Sequence, residues 1–123
     1  ISLLVGGLGI ANTMYTSVLE RTKEIGTMKA IGAQNKDILS IFVIESGLLG
    51  LVGGIVGAII GVLLSFLAST GVNAYFGSDI FAFQLSWSLI FIAVGFSLLI
   101  GLASGILPAL QASKLKPTEA LRR

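Results

Sequence analysis

The sequence predicts an all-α membrane protein with three transmembrane helices and a short cytoplasmic helix between the first and second. Three observations carry this. Of 123 residues, 54% are hydrophobic and only 11% charged, against about 25% charged in soluble domains. The apolar residues gather into three blocks of membrane-spanning length. All eight Lys and Arg residues fall in two short polar stretches, residues 21–36 and 114–123.

The first block, residues 1–19, would be about 28 Å long as a helix, enough for a hydrocarbon core of roughly 30 Å. It begins at Ile1 without a basic leader or cleavage site. It therefore reads as the cut end of a longer protein and not as a signal peptide. The second, residues 38–68, would reach about 46 Å at helical rise, so its first turns stand outside the bilayer. The third, residues 87–107, matches one bilayer, with Ser86 as N-cap and Pro108 to stop or kink it.

Between the first two blocks lies ERTKEIGTMKAIGAQNKD, residues 20–37. Ile25, Met28 and Ile31 sit three apart there, a narrow apolar stripe on a charged short helix. A simple return loop needs no such stripe, so this surface reads as one made to be gripped by a soluble partner. Asn35 is placed to cap the second helix, with Asp37 near its positive end.

Orientation follows from charge. No Lys or Arg lies in the 69–86 connection. The positive-inside rule then puts residues 20–37 and the tail, 108–123, in the cytoplasm and the 69–86 loop outside. Tyr75, Phe76, Phe81, Phe83 and Trp87 suit an interfacial aromatic belt at the outer face. In the tail, Pro117 fits a first helical position, and Lys114, Lys116, Arg122 and Arg123 are placed to touch anionic lipid.

In the second block Gly47, Gly50, Gly54, Gly57 and Gly61 follow a 3-4-3-4 spacing, and the first block repeats it with Ser2, Gly6, Gly9, Thr13 and Thr16. Glycine is common in membrane helices, but this spacing lets two backbones approach closely. It predicts a tight pair between the first and second spans, with Gly101 and Gly105 admitting the third.

Several chemistries are excluded. There is no Cys and no His, hence no disulfide framework, thiolate metal site or imidazole base. No GxxxxGK[ST] loop, paired carboxylates or activated serine occurs, so no catalytic or metal-binding residue is assigned and the segment is not an enzyme. The basic residues flank membrane spans, which argues against nucleic acid. Glu45 reads as an interfacial acid able to pair with a Lys or Arg such as Lys36 or Lys114, and Asp79 as a solvated acid of the outer loop.

The stretch Ser17-Val-Leu-Glu-Arg-Thr-Lys-Glu-Ile-Gly26, with Lys29-Ala-Ile-Gly-Ala33, Asp37-Ile38-Leu39 and Ile44-Glu45, resembles the FtsX-like permease domain. The chain end agrees: Gly105-Ile-Leu-Pro-Ala109, Ala112 and Lys116-Pro-Thr-Glu-Ala-Leu-Arg122 are similar to that family's closing motif. The resemblance covers the whole chain and is nearest the macrolide-exporter (MacB) branch of ATP-binding-cassette transporters.

The resemblance implies a missing N-terminal span and outer domain, a second permease copy, and an ATPase subunit or domain that holds ATP and Mg. A periplasmic or cell-surface adaptor is a further partner compatible with it. It implies that residues 20–33 form the coupling helix, with Glu20, Arg21, Glu24, Ile25, Gly26, Met28 and Ile31 as contacts. The machine would pass ATPase motion outward for export or extraction. Two other readings stay open: a non-transporting relay controlling a cell-wall hydrolase, and a self-associating membrane scaffold.

Overall fold

The computed structural model describes residues 1–77 and 82–122. Five helices follow in order: α1 (Ser2–Glu20), α2 (Thr22–Ala30), α3 (Asn35–Phe76), α4 (Trp87–Ser113) and α5 (Pro117–Arg122). No strand occurs among the described residues. Helices α1, α3 and α4 are long and apolar enough to cross a membrane. Asp79, Phe81 and Arg123, which the sequence places in the outer loop and basic tail, lie outside the described residues.

Two helix ends and one cap differ from expectation. Helix α3 runs through 42 residues to Phe76, eight beyond the end of the second block, and stops at Gly77, whose φ of 65° is the left-handed cap conformation glycine adopts freely. Helix α4 passes through Pro108 and ends at Ser113. Pro108 loses one intrahelical hydrogen bond, but it is buried beside fully buried Ala109 and Ala112, and that packing holds the helix together. Ser86 does precede α4, yet its hydroxyl meets Ser88 Oγ at 3.0 Å instead of capping the helix.

The α1–α3 pair expected from the two glycine stripes is not the principal contact. Helix α4 is the one on which both α3 and α1 pack, and α1 touches α3 only lightly. A spacing of small residues defines a face, but the partner must offer a matching one. Ser97, Gly101 and Gly105 supply it on α4. A Cβ on Gly50 would lie 2.6 Å from the Ser97 carbonyl oxygen and 2.9 Å from Gly101 Cα. On Gly101 it would lie 2.7 Å from the Ser46 carbonyl oxygen, and on Gly105 it would overlap the Ser46 side chain. Gly47 and Gly54 are closed off by Leu102 and Ser97. Ser97 Oγ donates to the Gly50 carbonyl at 2.7 Å across this crossing.

The other predicted packing glycines make no such close approach among the described residues. A Cβ on Gly6, Gly9, Gly57 or Gly61 would meet nothing within 4 Å. On α1 the contacting glycine is Gly7, facing Ser104 and Ile100 of α4. The hydroxyls of Thr13 and Thr16 turn back to the Gly9 and Asn12 carbonyls of their own helix.

The compact core lies at the charged end. Met14 and Val18 of α1, Ile25 of α2, Ile38 and Phe42 of α3, and Ala109 and Ala112 of α4 form one buried cluster. At the far end α3 and α4 splay, leaving a cleft of about 620 Å³ beside Gly57, Gly61 and Ala93. Phe83 folds back there onto Phe66, edge to face with centroids 5.5 Å apart.

Candidate functional site

The charged stretch between α1 and α3 becomes a rigid corner. Arg21 alone separates α1 from α2, with φ −97° and ψ 15°. Thr22 Oγ1 donates to the Val18 and Leu19 carbonyls, both at 2.9 Å, satisfying acceptors at the end of α1. Helix α2 then ends in a Schellman turn. Gly32 N–H donates to the Lys29 carbonyl at 3.1 Å and Ala33 N–H to the Met28 carbonyl at 3.0 Å. Gly32 takes a φ of 105°, which disfavours any residue bearing a Cβ.

The next helix starts almost at once. Its N-cap is Gln34, not Asn35, and Asp37 Oδ2 accepts the Gln34 backbone N–H at 2.9 Å. Asp37 has the acidic role expected of it near the helix start. Asn35, one residue too late to cap, is the first helical residue.

The apolar stripe of α2 divides. Ile25 is fully buried in the core, and Met28 is half-buried against it. Ile31, at the helix end, is 83% exposed. A nine-residue helix is too short to stand alone; it packs mainly on α5, and Ile25 joins it to the core cluster that α1, α3 and α4 share. Ile25 is therefore an anchor and not an exposed contact. Gly26 is buried too: a Cβ there would lie 2.7 Å from Ala120 Cβ of α5. The outward face carries Glu24, Thr27 and Ala30, with Glu20 and Arg21 exposed at the corner before it.

Charge ties α2 to its neighbours. Arg21 Nη1 lies 3.5 Å from Glu45 Oε2. Glu45 thus has the basic partner expected of it, and that partner is Arg21, not Lys36 or Lys114. With side chains 49% and 33% exposed, this pair contributes at most about 1 kcal/mol. The stronger tie comes from Lys29, to which the sequence patterning assigns no role. Its part-buried ammonium donates to the Ser113 carbonyl and, at 2.6 Å, to the Leu115 carbonyl. Both acceptors sit at the C-terminal end of α4, where the helix dipole also favours a cation. A signal for it exists: Lys29 stands four residues after Ile25 and so shares its buried face.

A profile of the FtsX-like permease C-terminal family matches residues 1–117. The chain belongs to this family. It is similar to an ABC transporter permease of Methanocaldococcus jannaschii, at 50% identity over 99% of this chain and 30% of the relative. It is similar to the macrolide export ATP-binding/permease protein MacB of Agrobacterium fabrum, at 46% over 100% of this chain and 18% of the relative. The ABC transporter permease YknZ of Bacillus subtilis is 48% identical over 99% of this chain and 29% of its own length. The chain thus spans less than a third of these relatives. Among the described residues of this permease segment, no group of acidic, His or Cys side chains could hold a metal ion.

Proposed function

We propose that this segment is a non-catalytic mechanical relay in an ATP-binding-cassette transporter for export or extraction. Its charged end is cytoplasmic, because all eight cations lie in the two stretches that α2 and the tail occupy. Helix α2 is the coupling helix, on which an ATPase subunit or domain holding ATP and Mg docks. A second permease copy completes the membrane unit.

The observation that carries the reading is the attachment of α2. Ile25 sits in a core shared by α1, α3 and α4, and Lys29 binds the end of α4. A push on α2 therefore reaches the bases of α3 and α4, which move together because their backbones touch at Gly50 and Gly101. Close-packed contacts transmit displacement with little slack. The route runs through α4, and the α1–α3 lever suggested by the stripes is replaced by an α3–α4 lever.

A single cysteine at exposed Thr27 in the full-length protein, carrying a benzophenone, tests this. Photocrosslinks to the nucleotide-binding part that change with ATP are expected. An adduct pattern without that part, at normal membrane levels, would leave α2 with no coupling role.

A further inference from the structure

The short helix α5 is seated on α2. Ala120 is 1% exposed, and it lies so close to Gly26 that a Cβ there would stand 2.7 Å from its own. The same hypothetical Cβ would lie 3.5 Å from Leu121 Cγ. Lys29 fastens the preceding segment through Ser113 and Leu115. Pro117 opens α5 with its φ already set for the helix, and the Glu119 and Ala120 amides bond the Lys116 carbonyl at 3.1 and 3.0 Å.

Seating Ala120 leaves its neighbour outside. Leu121 is 54% exposed beside Gly26, and Ile31 is 83% exposed at the far end of α2. These two large apolar side chains stand outward on the two elements that make up the charged end. Around them both signs are interspersed: Lys23 with Glu24 on α2, and Glu119 among the cations Lys114, Lys116 and Arg122 at and before α5, all exposed. An anionic bilayer favours clustered cations and gains nothing from interspersed carboxylates. A folded protein surface can match both signs around apolar anchors.

We propose that α5 is the second wall of the ATPase-docking surface, with Leu121 as an apolar anchor beside α2. The nucleotide-binding part would then meet a two-helix platform instead of one short helix, and Gly26 is glycine because a side chain would push the walls apart. This rests on the coupling-helix reading of α2.

The test uses the full-length transporter in membranes, with one benzophenone-labelled cysteine at Leu121, Arg122 or Thr27, and adducts mapped by mass spectrometry. ATP-sensitive adducts with the nucleotide-binding part from Leu121 and Thr27 alike are expected. Adducts from Thr27 while Leu121 and Arg122 give none would remove α5 from the surface and leave the relay intact. Adducts of Leu121 with lipid alone would overturn the platform in favour of a membrane contact. Failure at all three positions would sink the relay reading as well. Leu121→Ala should lower transport about fivefold at unchanged membrane level, the usual scale for losing one interface anchor. An unchanged rate would speak against the anchor.

Discussion

The two halves of the α3–α4 pair differ although both carry glycine at regular spacing. Near the charged end a Cβ on Gly50 or Gly54 would run into Ser97 and the backbone of α4, and one on Gly47 into the end of the Leu102 side chain. Toward the far end Gly57 and Gly61 continue the same 3-4 stripe into open space. The difference lies in α4. It offers Ser97, Gly101 and Gly105 below, but Ala93, Ile90 and Leu89 line the cleft above. A helix crossing is tight only where both faces are small, and one glycine stripe opposite bulkier residues gives a splay. In the proposed relay the closed half would be the part that passes displacement from one helix to the other.

Four substitutions in the full-length protein would break or sharpen this contrast. The largest effect is expected for Gly101→Leu, where even the first carbon meets backbone of Ser46 and Gly50. Backbone cannot rotate away, so a loss above ~3 kcal/mol is expected, read as a collapse of the thermal midpoint in detergent. A normal midpoint would mean that the crossing is not closed.

Lys29→Met keeps length and apolar stem but removes both bonds to the end of α4. A cost of about 2 kcal/mol is expected, seen as faster amide exchange across α2, with Lys29→Arg restoring part of it. Exchange unchanged in α2 would show that Ile25 alone holds the helix.

Gly57→Ala should go the other way. With nothing within 4 Å, the added methyl improves helix propensity by about 0.5–1 kcal/mol, and the midpoint should hold or rise. A marked fall in the midpoint would reveal a partner helix over the open stripe, from a second copy or from the rest of the chain. The smallest change is expected for Arg21→Ala. The exposed pair with Glu45 is worth at most about 1 kcal/mol, so stability should barely move. A loss of several degrees would mean that the corner depends on that pair.

Much of the site is legible in the order of residues. The helical class, the three spans and the break around residues 20–37 follow from composition and blockwise hydropathy, which report burial against lipid directly. Pro117 marks the start of a tail helix, because its fixed φ and missing N–H act locally. The stripe of Ile25, Met28 and Ile31 is also visible, but not its direction. Periodicity marks an apolar face without saying whether the protein's own core or a partner takes it.

Local chemistry and hydropathy are thus determined by the sequence alone: the helical class, the three long apolar helices with a short one between the first two, and the segregation of charge. Only the tertiary structure decided the pairings. It chose α4 over α1 as the partner of α3, Arg21 over Lys36 or Lys114 for Glu45, and Ala120 as the occupant of the space at Gly26. Each of those choices depends on two surfaces, far apart along the chain, fitting at once. The order of residues specifies each surface by itself, and their meeting is a property of the folded bundle.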